Sequence, residues 1–303
     1  MTEAGRGQGP VVVGTDGSET ALRGVQWAAR AAAIRRAPLH ILHASGYPER
    51  YTGESILPPE SFKAELRRQR WAFLHAARQS AIDTVAAAGL PRLDVATVLD
   101  PEQPIPALVH ASATARLLVL GTSAHRSITG LIVGSTTIAL VGHAHSPVVS
   151  VRGDVADSGE PDRRPVVVGV DGSPLSERAL GYAFDEASFR GVALVAVHTW
   201  SDSDTSAFRD TYVDWEPLRD TEERRLAERL AGRRERYPDV PVERVLVKDK
   251  PRHELLEWSN RAQLVVVGSR GRGGFRGLLL GSTSHALIHN AGCPVLVARP
   301  EDA

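Results

Sequence analysis

The stretch VVVGTDGSETAL, Val11–Leu22, returns 155 residues later as VVVGVDGSPLSERAL, Val166–Leu180. Each copy runs from consecutive valines through a Gly and an Asp-Gly-Ser turn into a segment with helical spacing. Such a valine run reads as a strand buried on both faces. Asp-Gly-Ser is a good turn and a good helix start. In the second copy Ser173 is placed as N-cap and Pro174 as the first helical residue. A strand that feeds a helix, stated twice, points to two copies of one α/β domain.

The repeat extends beyond this start. LLVLGTSAHRSITGLIVGSTT, Leu117–Thr137, returns as LVVVGSRGRGGFRGLLLGSTS, Leu264–Ser284, and HSPVVSV returns as GCPVLVA. The offset is 155 for Asp16 and Asp171, and 147 for Gly134 and Gly281, so the first copy carries eight extra residues, around SGYPERYTGESILPPE. Each copy is too long for a solenoid repeat and right for a whole domain. The polar segment RGDVADSGEPDRRP, Arg152–Pro165, reads as a linker. The expected division is residues 1–152, a linker at 153–165, and residues 166–303. In the second copy, strands are expected at Val166–Val170, Val192–His198, Val242–Val247, Leu264–Val267 and Val295–Val297. Helices are expected at Leu175–Arg190, Glu216–Tyr237, Arg252–Asn260 and Ser282–Asn290. Alternating strands and helices make an open, doubly wound parallel sheet, which binds ligands at the carboxyl ends of its strands.

Composition bounds the function. With 36 basic and 36 acidic residues the formal charge is zero, so the chain lacks a basic footprint for nucleic acid. A single cysteine, Cys293, leaves no intrachain disulfide and fits a reducing compartment. The N-terminus lacks the features of a signal peptide, and no apolar run of about 18 residues appears. A cytoplasmic protein that does not enter a membrane is expected.

Two strand ends in each copy carry candidate functional residues. The first strand ends in Gly14-Thr15-Asp16-Gly17-Ser18 and in Gly169-Val170-Asp171-Gly172-Ser173. The fourth ends in a glycine-rich loop. Glycine allows backbone N–H groups to turn toward a ligand, and Gly281-Ser282 then opens a helix whose free N–H groups and dipole favour an anion. Loop and helix start together form a phosphate cradle. A P-loop is excluded, because no lysine follows the glycines; a dinucleotide fingerprint belongs after the first strand. The helix Phe62–Ala88 is expected to put Trp71 and Phe73 in the core, and the charges of Glu216–Tyr237 are expected on a solvated face. The i, i+4 pair His285 and His289 lacks the glutamate of a zinc-protease helix, and Ser18, Ser173 and Ser282 lack visible histidine–carboxylate partners.

The spacing Gly268-x2-Gly271-x9-Gly281-Ser282, the Val-Gly-Val-Asp-Gly-Ser start and the terminal Cys-Pro-Val-Leu-Val strand resemble the ATP-binding branch of the universal stress protein family. The resemblance covers almost the whole chain, twice. It implies two tandem Rossmann-like, adenine nucleotide α-hydrolase-like domains of five strands each. It implies that ATP, with or without Mg2+, is bound in the second copy by Gly169, Asp171, Thr199, Gly268, Arg270, Gly271, Gly281 and Ser282. Asp171 would contact the nucleoside, and the Thr199 backbone would line the adenine. Arg270 and Arg272 either add charge near phosphate or lie on the surface. The matching positions in the first copy are Gly14, Asp16, Ala44, Gly121, Gly134 and Ser135. There the second loop glycine is replaced by Ala124. If the loop needs positive φ, the alanine Cβ costs roughly 1–2 kcal/mol, so this copy either binds weakly or serves as scaffold. The family also implies an internal pseudo-dimer in which Val148–Val151 pairs with Val295–Ala298. It leaves open a homo-oligomer, an unknown protein partner, and a regulatory role against a slow ATPase or self-phosphorylating enzyme.

Overall fold

The computed structural model describes residues 9–44, 46, 60–122, 135–152, 162–200, 216–248, 251–272 and 280–300. The chain divides into two compact units, one within Met1–Pro161 and one spanning Asp162–Pro300. The first unit runs β1 (Val11–Gly14), α1 (Glu19–Ile34), β2 (Leu39–Ala44), α2 (Glu60–Ala87), β3 (Val95–Asp100), α3 (Pro104–Ser112), β4 (Leu117–Gly121), α4 (Ser135–His143) and β5 (Val148–Val151). The second runs β6 (Val166–Val170), α5 (Pro174–Arg190), β7 (Leu194–Trp200), α6 (Glu216–Arg236), β8 (Val242–Lys248), α7 (Pro251–Ser259), β9 (Leu264–Gly268), α8 (Ser282–Asn290) and β10 (Val295–Ala298).

All strand pairs within a unit are parallel. The order in the first is β3-β2-β1-β4-β5, and in the second β8-β7-β6-β9-β10. The chain winds outward from β1 through β2 to β3, then returns to the other side of β1 with β4. A crevice therefore opens at the carboxyl ends of β1 and β4, and of β6 and β9. These are the two strand ends that carry the Asp-Gly-Ser turn and the glycine-rich loop.

The valines of β1 and β6 are buried, as expected of central strands. The outermost strands behave differently. In β3 and β8 buried positions give way to partly exposed and exposed ones, and Val98 is exposed. Their apolar runs read as fully buried, but an edge strand has a neighbour on one side only.

Helix α5 shows how a layer is fixed. Ser173 caps its start, with Oγ accepting the Ser176 N–H at 3.2 Å, and Gly191 ends it in the left-handed region at φ 63°. Its inner face buries Ala179, Leu180, Ala183, Phe184 and Ala187. Phe184 stacks on Tyr237 with centroids 5.5 Å apart. Burying such a side chain contributes about 1.5–3 kcal/mol. Residues 162–165, read as the end of a linker, are held to the second unit. Gln263 Nε2 donates to the carbonyls of Asp162 at 3.0 Å and Arg164 at 2.6 Å.

One expectation about helices needs correction, and a second holds with exceptions. Trp71 lies on the outer face of α2 and is 37 % exposed, so it is not core; Phe73 is half-buried. And α6 keeps most of its charges exposed, as expected, with exceptions on its inner face. Glu222 is buried, and Arg229 and Arg233 both reach α5 at Glu177. A charge-rich helix still has an inner face, and here that face finds charged and polar partners.

Candidate functional site

In the second unit, the turn after β6 and the loop after β9 meet at Asp171. One carboxylate oxygen, Oδ1, accepts the Ser173 N–H at 2.9 Å. The other, Oδ2, accepts the Arg272 N–H at 2.9 Å. Burial pushes the Asp171 carboxyl up, but the hydrogen bonds from Ser173 and Arg272 outweigh it and hold the group below the usual carboxylate value.

The glycines explain themselves one by one. A Cβ on Gly271 would lie 2.5 Å from Asp171 Oδ2. A Cβ on Gly268 would lie 2.9 Å from Leu175 Cβ, because the first turn of α5 rests on this strand end. The Gly281 N–H donates to Ser269 O at 2.8 Å, which closes the base of the loop. Among the described residues positive φ occurs at Gly172 but not at Gly268, Gly271 or Gly281. The condition of positive φ is thus not met at Gly271; close approach to a carboxylate excludes the side chain instead.

Helix α8 begins at this loop. Its N-cap, Gly281, has no side chain to cap with, and the first intrahelical bond runs from the His285 N–H to Gly281 O at 2.9 Å. The N–H groups of Ser282, Thr283 and Ser284 therefore have no acceptor among the described residues. By contrast α1 and α5 are capped by Ser18 and Ser173, which gives those serines a structural role. Ser269, fully buried in the loop, leaves its Oγ without a partner among the described residues.

Charged side chains surround the turn. Arg229 from α6 pairs with Glu177 of α5 and turns its other guanidinium nitrogen toward Gly172. Arg272 Nη2 faces the same glycine. Behind them His198 on β7 is buried. Its Nδ1 lies 2.6 Å from Val170 O and its Nε2 2.9 Å from Glu222 Oε2. Arg225 Nη1 holds the other Glu222 oxygen at 2.5 Å.

The first unit repeats the frame with different contents. Asp16 Oδ1 accepts the Ser18 N–H at 2.9 Å. Over Gly17, at φ +84°, sits the Phe73 ring, whose carbons would be 2.7–2.9 Å from a Cβ there. His43 Nδ1 lies 2.8 Å from Thr15 O, as in the second unit, but its ring neighbours Phe73 at 6.1 Å. Burial lowers the His43 pKa, against the pull of the Thr15 carbonyl. Gly121 is fixed by packing, since a Cβ would meet Thr20 O at 1.8 Å. Thr122 Oγ1, the counterpart of Ser269 Oγ, lies 3.0 Å from Ser150 Oγ and donates to Val151 O at 3.1 Å.

A sequence model of the universal stress protein family matches residues 9–152 and again 162–299. The chain belongs to the universal stress protein family. It is 42 % identical over 294 residues to universal stress protein Mb2028c of Mycobacterium bovis, covering 97 % of this chain and 98 % of that one. It is also 42 % identical over 295 residues to universal stress protein Rv2623 of Mycobacterium tuberculosis, covering 95 % and 96 %. A crystal structure of a universal stress protein from Archaeoglobus fulgidus has the same fold, with a TM-score of 0.68 at 20 % identity over 96 % of this chain and 98 % of that one.

For a tandem universal stress protein, the expected site residues fall at several distinct places. Asp171, Gly268, Arg270, Gly271, Gly281 and Ser282 share one loop–turn junction in the second unit. Gly169 and Gly14 lie just beneath the junctions as packing positions, where a Cβ would meet Leu255 at 2.9 Å and Leu120 at 3.0 Å. Thr199 and Ala44 are half-buried near the ends of β7 and β2. Asp16 and Gly121 sit at the matching place in the first unit, Ser135 opens α4, and Ala124 and Gly134 lie outside the described residues. Sequence reasoning missed Glu222 and Arg229. Both lie within a charge-dense helix, and nothing local in α6 marks the two residues that turn inward. No helix among the described residues is long and apolar enough to cross a membrane. No group of three His, Cys, Asp or Glu side chains among them could hold a metal.

Proposed function

We propose that this universal stress protein binds ATP in its second unit and uses occupancy as a regulatory signal to a protein partner in the cytoplasm. The observation that carries the reading is the Arg272 N–H on Asp171 Oδ2. This bond ties the glycine loop to the aspartate that would meet the nucleoside. Each carboxylate oxygen has a second lone pair, so a ribose hydroxyl can donate to Asp171 while the Arg272 N–H stays bound. The loop is then held in place for the phosphates, which take the uncapped N-terminus of α8, with Gly271 and Gly281 as their approach. Mg2+, when present, would come with the phosphates. A ligand that bonds the aspartate and the loop together favours the joined state of the loop over the loosened one, as a binding regulator requires.

Binding is favoured over turnover by the same geometry. Hydrolysis needs a group that orients water and stabilisation that grows in the transition state. Asp171 is engaged by two N–H donors and held below the usual carboxylate value, which makes it a poor base. The described loop residues Gly268–Arg272 and Leu280–Ser284 include no carboxylate, histidine or glutamine.

Mass spectrometry of what co-purifies, followed by thermal melting, tests this. ATP and a non-hydrolysable analogue should raise the melting temperature equally. At a hundredfold excess over the dissociation constant the gain is about 2.7 kcal/mol. No shift with either ligand defeats the ATP reading. Phosphate release well above background that vanishes in Gly281→Asp replaces the regulatory reading with an enzymatic one.

A further inference from the structure

Two guanidinium groups from distant parts of the second unit converge on one glycine. At Gly172, held at φ +75°, the Cβ position lies 2.5 Å from Arg272 Nη2 and 2.7 Å from Arg229 Nη2. Both distances run to the same point, so the two nitrogens are within about 5 Å of each other. Like charges this close repel unless an anion shares them. Arg229 is partly neutralised, because its Nη1 pairs with Glu177. The Arg272 guanidinium makes no ion pair among the described residues, although its backbone N–H is bound to Asp171. Two forked donors over one turn are suited to phosphate oxygens, which take guanidinium hydrogen bonds in pairs.

The place also fits. The Cβ position of Gly281, at the start of α8, is 3.7 Å from Gly271 N, and that of Gly271 is 2.5 Å from Asp171 Oδ2. Helix start, loop, aspartate and arginine pair are therefore contiguous. In the first unit the same position above Gly17 holds the uncharged Phe73 ring. The backbone frame is repeated there, and among the described residues an aromatic ring stands where the second unit has its arginine pair.

Resting on the nucleotide reading of this site, we propose that Arg229 and Arg272 form a pincer on the phosphate chain, so that the second unit selects a nucleoside polyphosphate over the uncharged nucleoside. Arg229 acts from α6, outside the glycine motif, and Glu177 holds it in position. The pincer adds charge where the helix start supplies only backbone N–H groups.

Calorimetry on the intact chain with ATP, adenosine and inorganic tripolyphosphate tests the pincer. ATP should bind more tightly than adenosine. Arg229→Gln should weaken ATP about tenfold or more and leave adenosine within twofold. Glu177→Gln, whose amide oxygen still accepts from Arg229 and keeps it in position while the competing negative charge is gone, should leave ATP binding as tight or tighter. Equal loss of ATP and adenosine in Arg229→Gln, or loss of ATP in Glu177→Gln matching that in Arg229→Gln, would reduce Arg229 to a structural role and overturn the proposal. Unchanged ATP binding in Arg229→Gln overturns it too. If the wild-type protein binds neither ATP nor adenosine, the nucleotide reading fails. Tripolyphosphate binding that is lost in Arg229→Gln then still supports the pincer, and its absence overturns that as well.

Discussion

The carboxylate of Asp171 accepts the backbone N–H of Arg272 at 2.9 Å, across 101 residues of sequence. This bond joins the turn after the first strand of the unit to the loop after the fourth. With the Ser173 N–H on its other oxygen, the aspartate has a donor on each side. Whatever binds at this crevice meets a carboxylate that the protein's own backbone already holds in place.

Gly271→Ala should loosen that junction. The new Cβ would lie 2.5 Å from Asp171 Oδ2, too close for any real contact, so the loop must withdraw and the Arg272 hydrogen bond lengthen. One such bond is worth roughly 1.5–3 kcal/mol when the acceptor is charged. ATP affinity measured by calorimetry should fall about tenfold, since 1.4 kcal/mol is a decade. Unchanged affinity would mean that the glycine serves the unliganded loop alone.

Nucleotide should bind mainly to the second unit. Asp171→Ala or Gly281→Asp should remove most high-affinity ATP binding, whereas Asp16→Ala and Gly134→Asp should matter little. The grounds are Ala124 in place of the second loop glycine and the Phe73 ring over Gly17. Equal losses from the two pairs of variants would contradict this.

Acid should weaken the second unit through Glu222. Burial raises its carboxyl, but the hydrogen bond to His198 and the charge of Arg225 outweigh that, so its folded pKa lies below the ordinary glutamate value. A carboxylate of this kind contributes stability that is fully present above its unfolded pKa. That contribution is lost as pH falls through the folded value. Thermal melts from neutral pH down to about pH 3, below the ordinary glutamate value near 4.3, should show wild type losing more stability than Glu222→Gln. At neutral pH the variant should melt lower, because the charged acceptor of the His198 and Arg225 hydrogen bonds is lost, at a cost of roughly 1.5–3 kcal/mol. Parallel pH profiles for the two proteins would rule out Glu222 as the source.

Cys293 should be unreactive in the folded protein. It is 2 % exposed, and burial pushes its thiol pKa up to about 12. Thiolate is the reactive form, so a thiol-titrating reagent at mildly alkaline pH should leave the native chain unmodified and react once in denaturant. Rapid native modification would show that the segment before β10 opens.

The repeat made the architecture legible. Strand, turn and helix signals are local: valine runs, Asp-Gly-Ser turns, Ser173 as cap and Pro174 as first helical residue each act within a few residues. Stated twice in the same order, they were enough for two parallel-sheet units, and the strand ends named Asp171 and the glycine loop. The outer strands β3 and β8 were harder, because a central and an edge strand share the same apolar run and differ only in their neighbours. Trp71 was misplaced for a similar reason, since a long helix has several faces and its sequence does not say which one meets the sheet.

By itself, then, the sequence determined the doubled fold, the family and the two loops that make the crevice. Only the tertiary structure decided what those loops do to each other. Gly271 lacks a side chain because a carboxylate 100 residues earlier in the chain occupies the space, and not because of its own backbone angles. Glu222 meets His198 across 24 residues, and Arg229 meets Glu177 across 52. Hydrogen bonds and ion pairs act over a few ångströms of space, and helical spacing carries no record of which distant residue will stand there.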